Sequence, residues 1–265
     1  MSDDAPRHDT AALFERTAVH DAPPDEPLRA SEAVRIGETL KLIPVDVDTV
    51  LDVGCGPGKL LARIDRPHVF GTDLGRVGLR HAPKPVVRSS ILGLPFADDS
   101  VDLVLCAEVL EHLPPADVRR ACAELYRVAR RHVLVTVPNR EQLLEASHAC
   151  PACEHVFHLH GHQQSLDADR LRGCFPTEAP ALVRYAWKVR PYSPPLLRLR
   201  TRGLGLWKFS PHTFCPRCGH AEFENHEARP LYKVFGALNH LRHPTRSQDN
   251  WLLLRIDKPR GEDAP

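Results

Sequence analysis

The chain has 265 residues, 42% hydrophobic and 26% charged, which is ordinary globular usage and excludes a fibrous, collagenous or wholly disordered protein. Its 35 basic and 34 acidic residues leave a net charge of +1, so no global field draws it to nucleic acid or an anionic membrane. No apolar run approaches the length of a bilayer span, and Met1-Ser2-Asp3-Asp4 lacks the layout of a signal peptide. A cytoplasmic location is therefore expected. Thiols stay reduced there, so the eight cysteines read as metal ligands or core thiols rather than a disulfide framework.

Residues 1–31 are rich in Asp, Glu, Pro and Ala and read as a flexible leader. A helical pattern starts at Glu32, with Val34, Ile36, Leu40 and Ile43 on one face and Ser31 as N-cap. Five short runs rich in branched residues follow: 49–53, 69–73, 86–88, 101–106 and 132–137, the last stopped by Pro138. Before the fifth run lies an amphipathic helix opened by Pro114-Pro115, with Asp117 in its first turn. Val118, Cys122, Leu125 and Ala129 share a face, and Arg127, Arg130 and Arg131 occupy its last turn. Two more strands are expected around 181–185 and 251–255, and the tail 259–265 reads as disordered. Strands alternating with helices argue for an α/β, doubly wound, seven-stranded and mostly parallel sheet.

The central motif is Val50-Leu51-Asp52-Val53-Gly54-Cys55-Gly56-Pro57-Gly58. A buried strand ends in glycines spaced by two, so the backbone can turn tightly and approach a ligand, with a helix start expected at Lys59-Leu60-Leu61. The spacing departs from a dinucleotide fingerprint, whose third glycine would fall at Lys59. It departs from a P-loop too, because Gly58-Lys59 is followed by Leu60. Asp73 ends the second strand, where a carboxylate can accept ribose hydroxyls at about 1.5–3 kcal/mol per charge-assisted bond.

With this loop, Gly71-Thr72-Asp73, Gly93-Leu94-Pro95-Phe96-Ala97-Asp98 and the stretch from Val101 to Leu113 in order, the chain resembles the class I S-adenosylmethionine-dependent methyltransferases. The resemblance covers about residues 30–140, with a weaker extension to about 190. It implies a Rossmann-like methyltransferase fold. Gly54, Gly56 and Gly58 would lie against the methionine part of the cofactor, Asp52 near its amino group, and Asp73 on its ribose. Ser90 stands where many relatives carry an acidic residue for the adenine amino group. Ile91 would add a backbone contact, and Cys106 would lie near the cofactor at the end of the fourth strand. The sulfonium is already a strong electrophile, so a general base is needed only for an acceptor that must lose a proton, and His112 and His162 are candidates. Glu111-His112 itself reads as a helix end on the pocket rim.

Cys150-Pro151-Ala152-Cys153 and Cys215-Pro216-Arg217-Cys218-Gly219 form a second constellation. Each turn aims two sulfurs at one point and resembles a zinc-ribbon knuckle. A single structural Zn²⁺ site of Cys150, Cys153, Cys215 and Cys218 is the preferred reading. A site of Cys150, Cys153 and two of His155, His158, His160 and His162 is the alternative. Cys55, Cys122 and Cys174 read as buried apolar residues. The expected organisation is a core over 32–190, insertions at 140–160 and 191–249 stapled by zinc into a lid, and a last core strand at 250–258.

Residues 179–221 contain no Asp or Glu but interleave Arg184, Lys188, Arg190, Arg198, Arg200, Arg202, Lys208 and Arg217 with Tyr185, Trp187, Tyr192, Trp207, Phe209 and Phe214. Such a stretch suits an anionic partner or, equally, the lid's own small core. The expected activity is methyl transfer from S-adenosylmethionine to a small-molecule or glycan-type acceptor that could be anionic. An RNA methyltransferase using the basic stretch, or a non-catalytic zinc-containing binding protein, are the alternatives.

Overall fold

The computed structural model describes residues 24–209, 213–242 and 247–259. Most of the leader and nearly all of the tail expected from the sequence lie outside them. The first helix among the described residues, α1 (Ala30–Lys41), starts two residues before the expected Glu32, and Arg29, not Ser31, is its N-cap. It makes no side-chain cap bond, so packing holds it: Ile36 and Thr39 are buried.

The strands β1 (Thr49–Val53), β2 (His68–Asp73), β3 (Val86–Arg88), β4 (Val101–Ala107) and β5 (Ala129–Pro138) fall where the apolar runs stood. Later come β8 (Ala181–Val189) and β9 (Gln248–Asp257). Together they form one seven-stranded sheet in the order β3-β2-β1-β4-β5-β9-β8. The pairs from β3 to β5 are parallel, and β9 runs antiparallel to both β5 and β8. Side-chain alternation sends Val104 and Cys106 of β4 and Val133, Val135 and Val137 of β5 into one apolar layer. Leu103, Leu105 and Leu134 enter the other. The first layer is covered by α3 (Val118–Val128) and α4 (Ala168–Arg172), the second by α1. Both faces are closed over the central strands β1, β4 and β5, as their run-like sequences require, while the edge strand β3 is exposed.

Two local expectations change. No α-helix follows the glycine loop; only a 3-10 turn, Leu61–Arg63, forms before β2. The nine residues between Gly58 and His68 are too few for a full crossover helix, and Pro67 ends the segment. The helix α3 stops at Val128, and β5 begins at once at Ala129, not at His132. Arg130 is therefore a strand residue. Its guanidinium pairs with the buried Asp102 of β4, which also accepts from the Asp48 and Thr49 amides at 3.1 and 3.0 Å and from the Thr49 hydroxyl at 2.9 Å. Burial alone would raise the Asp102 carboxyl, but these bonds outweigh it and hold it well below the usual range.

The short helix α2 (Arg76–Leu79) lies after β2. Two excursions interrupt the sheet. The first, after β5, carries a hairpin of β6 (Ser147–Ala149) and β7 (Val156–His158) around the first cysteine knuckle. The second, between β8 and β9, carries α5 (Pro194–Arg198), the second knuckle and α6 (Pro230–Arg242), an element the sequence pattern did not disclose. Gln142 ties the two together: its side chain donates to the Tyr192 carbonyl at 2.8 Å and accepts from the Tyr192 amide at 2.7 Å. No described helix is long and apolar enough to cross a membrane.

Candidate active site and cysteine cluster

A cleft of about 1170 Å³ opens over the C-terminal ends of β1, β2, β4 and β5. Doubly wound sheets place ligands at this edge, where the strand order reverses between β1 and β4. Asp52, Gly54, Gly56, Asp73, Ser90 and Ile91 all line it. Gly58 and Cys106 do not. Gly58 packs behind the loop, where an added Cβ would lie 2.6 Å from Pro83, and Cys106 is fully buried beneath.

The loop has a physical reason for its glycines. Gly54 has φ +78°, and a Cβ there would sit 2.2 Å from Val109 Cγ2. The Gly56 amide donates to Asp73 Oδ2 at 2.8 Å, and the Gly75 amide to Asp73 Oδ1 at 2.7 Å. Asp73 therefore shapes the loop while keeping lone pairs for a ligand hydroxyl. Asp52 is 2% exposed, and its Oδ2 has no hydrogen-bond partner. Burial, reinforced by the nearby Asp73 charge, pushes its carboxyl up to about 7. A cationic ligand group placed there would relieve both effects. Ser90 Oγ accepts from the Leu92 amide at 3.2 Å, and Thr72 Oγ1 and Ser89 Oγ lie 2.5 Å apart, so hydroxyls at the ends of β2 and β3 brace this wall of the cleft.

The opposite wall was only partly legible. His112 and His162 line it, with ring centroids 4.7 Å apart and the rings edge to face. His162 Nδ1 bonds Glu141 Oε2 at 2.5 Å, and His158 Nε2 lies 3.5 Å from Glu141 Oε1. Burial opposes ionisation of Glu141, but the bonds to His158 and His162 prevail and bring its carboxyl down to about 2. Beneath the rim, Glu111 is 1% exposed and neither carboxylate oxygen has a partner. Burial and the Glu108 charge raise its carboxyl well above the usual range. Glu108 has φ +57°, and Oε2 accepts from Trp251 Nε1 at 2.8 Å, which fixes the indole in the lining. Glu141 and Trp251 carry no motif, and Glu108, though inside the stretch from Val101 to Leu113, has no role assigned to it. Their one sequence signal is position, at or just after the C-terminal ends of β4 and β5 or on the neighbouring antiparallel strand.

The four knuckle cysteines converge. Their sulfurs all lie within 4.8 Å of one another, with Cys150–Cys218 and Cys153–Cys215 at 3.6 Å. Four thiolates about 2.3 Å from a tetrahedral zinc would be about 3.8 Å apart, so the donor set fits Zn²⁺. The two turns match bond for bond. The Cys150 and Cys215 amides donate to the carbonyls of His155 and His220, at 2.9 and 2.7 Å, and their own carbonyls accept from Glu154 and Gly219, both at 2.9 Å. Glu154 and Gly219 share left-handed backbone, with φ +57° and +75°. Of the alternative set, His158 and His162 turn to Glu141 in the cleft. Cys55 and Cys122 are buried as expected, but Cys174 is only half-buried, its thiol donating to the Arg170 carbonyl at 3.2 Å.

The basic, aromatic stretch is divided: Tyr185, Trp187, Lys188 and Lys208 are exposed, while Arg200 and Phe209 turn inward. Arg200 is 1% exposed and stacks between Tyr192 and Tyr232, 4.5 and 4.9 Å from the ring centroids. Lys188 pairs with Asp249 at 2.6 Å and Lys208 with Glu227 at 2.7 Å. Phe209 stacks on Phe223 at 4.6 Å, and the buried His148 packs against Phe209 and Trp207. The inward-facing residues supply the second excursion's own core.

The fold is that of the class I S-adenosylmethionine-dependent methyltransferases, and residues 51–137 match the family described as methyltransferase domain. The chain is 36% identical over 115 residues to a ubiquinone biosynthesis O-methyltransferase of Albidiferax ferrireducens, covering 38% of this chain and 46% of that protein. It is 32% identical over 127 residues to the protein of the same description from Xylella fastidiosa, covering 43% and 52%. It thus spans about half the length of the curated relatives it matches. Among solved structures, a SAM-dependent methyltransferase from Archaeoglobus fulgidus superposes with TM-score 0.51 at 14% identity, covering 84% of this chain and 93% of that one. The cyclase SpnF superposes with TM-score 0.53 at 15% identity, covering 96% of each chain. These likenesses establish the fold.

Proposed function

We propose that this protein transfers a methyl group from S-adenosylmethionine to a hydroxyl of a small-molecule acceptor, with a structural Zn²⁺ held by Cys150, Cys153, Cys215 and Cys218. One observation carries the reading: a single cleft joins the glycine loop and its two carboxylates to a wall of histidines. The names of the curated relatives, which match the domain alone, support an oxygen acceptor.

When bound, the cofactor supplies a methyl on a positively charged sulfur, which an aligned nucleophile displaces directly. Asp52 would take the cofactor's ammonium and Asp73 its ribose hydroxyls, with Ser90 and Ile91 beside the adenine. His112 or His162 would accept the acceptor's hydroxyl proton. The Trp251 indole and the Leu159 and Ala146 side chains, which line the cleft from the cysteine-bearing excursion, would exclude water. Aligning donor and acceptor in this way is worth on the order of 7–11 kcal/mol of barrier. Four thiolates leave no open position on zinc, so that ion would hold the lid and take no part in the chemistry.

The test is transfer of a labelled methyl group to a panel of small hydroxyl compounds, glycans and RNA. Incorporation into a small hydroxyl compound is expected. Labelling of RNA alone, weakening steeply with salt, would favour the RNA reading. The burial of Arg200 between Tyr192 and Tyr232, and the pairing of Lys188 and Lys208 with carboxylates, argue against it.

A further inference from the structure

We propose that Glu111, His112 and His162 form a second metal site, for a divalent transition ion, at the rim of the cleft and distinct from the four-cysteine cluster. One ligand atom from each lies within 4.8 Å of the other two. The buried Glu111 carboxylate is the strongest pointer. It is 1% exposed with both oxygens unpartnered, and an isolated buried carboxylate costs several kcal/mol unless a cation compensates it.

The ring of His162 is prepared for such a role. The amides of His160 and His162 donate to His158 Nδ1 at 3.3 and 3.2 Å, so that nitrogen holds a lone pair and the proton resides on Nε2. His158 Nε2 faces Glu141 Oε1 at 3.5 Å, and Glu141 Oε2 takes the proton of His162 Nδ1 at 2.5 Å. The lone pair of His162 is thereby left on Nε2. A carboxylate behind a histidine is the usual support of a metal-ligating imidazole. Two imidazoles and one carboxylate suit zinc, manganese, iron or cobalt better than calcium. Three protein ligands leave coordination positions open toward the cleft. An acceptor hydroxyl bound there would be acidified by the ion, which would then replace His112 and His162 as the means by which that hydroxyl loses its proton. That role rests on the methyltransferase reading; occupancy of the site does not.

The experiment is metal stoichiometry on the full chain, dialysed against micromolar Zn²⁺ under reducing conditions and measured by mass spectrometry. Two zinc ions per wild-type chain are expected, one in Glu111→Gln and His162→Ala, and one in Cys218→Ser. Glu141→Gln should weaken the second site ten- to hundredfold. X-ray absorption of the wild-type zinc should show nitrogen and oxygen neighbours beside sulfur, which keeps the proposal testable if a variant fails to fold. One zinc per wild-type chain with sulfur neighbours alone would overturn it. That result would leave methyl transfer, measured separately, untouched.

Discussion

Asp52→Asn should stabilise the protein without cofactor and weaken cofactor binding, two effects that normally oppose each other. The carboxyl moves from an ordinary 3.8 to about 7 on folding, first through burial and then through Asp73. That displacement corresponds to about 4 kcal/mol against the charged form. Between about pH 4 and pH 7 the folded chain keeps a proton that the unfolded chain has lost. Stability from this group is therefore greatest at low pH and falls as pH rises through that window, by on the order of 4 kcal/mol. An amide of the same shape carries no such penalty, so at pH 8 the variant should gain about 2–4 kcal/mol over the wild type, and at pH 4 almost nothing. Urea unfolding of the cofactor-free protein at the two pH values reads both numbers. An ammonium paired with Asp52 contributes about 1.5–3 kcal/mol, so calorimetry should show the variant binding S-adenosylmethionine ten- to a hundredfold more weakly. At pH 7 the wild type should release roughly half a proton on binding, detectable as a dependence on buffer ionisation enthalpy. A variant with wild-type affinity, or one destabilised equally at both pH values, would refute the assignment of Asp52 as a strained carboxylate awaiting a cation.

Asp73→Ala should weaken the cofactor at least tenfold and also speed amide exchange at Gly56 and Gly75, whose donors lose their acceptor; unchanged exchange would mean that Asp73 does not shape the loop. Cys218→Ser should lose one zinc per chain and the thermal stability of the lid; retention of zinc in metal analysis would discard the four-cysteine site. Glu154→Gly should raise stability by about 0.5–1 kcal/mol, because its φ of +57° suits glycine, as Gly219 already shows in the twin knuckle; a lower melting temperature would contradict the backbone argument. Asp102→Asn should cost about 2–4 kcal/mol at pH 7 and much less near pH 2. The wild-type contribution is present above the ordinary carboxylate range and fades as pH falls toward the depressed value, so equal costs at both pH values would count against the Arg130 pair.

The sheet was legible because β1 to β5 are short branched runs, of which β1 and β4 and the second half of β5 are buried on both faces. The glycine loop was legible because its residue types answer to backbone sterics that few alternatives satisfy. What escaped notice depends on contacts distant in sequence. The helix expected after Gly58 fails because the segment must reach His68 within nine residues, a constraint set by tertiary closure and not by local propensity. Arg130 and Arg131 satisfy a helix dipole on paper, yet Asp102 and the pairing of Ala129 with Val101 draw that stretch into β5. The wall of the cleft was hardest to read. Glu141, His158 and His162 form one unit across 21 residues, and nothing in their spacing distinguishes them from the other histidines of the segment.

That unit gives the cysteine cluster a place in the chemistry that its distance would otherwise deny it. His158 lies on β7, the second strand of the hairpin whose tip carries Cys150 and Cys153. The backbone of the first knuckle therefore sets where His158 sits, His158 helps to hold Glu141, and Glu141 fixes the tautomer of His162 in the cleft. The chain of dependence runs one way. A loosened knuckle should misplace His162, whereas loss of His162 leaves the four sulfurs where they are. Cys218→Ser, which empties the four-cysteine site alone, should accordingly slow methyl transfer while cofactor affinity holds, since Asp52, Asp73 and the glycine loop belong to β1 and β2 on the far side of the cleft. If that variant lost cofactor binding as well, the lid and the loop would be one cooperative unit and the hairpin could not be assigned to the acceptor wall alone.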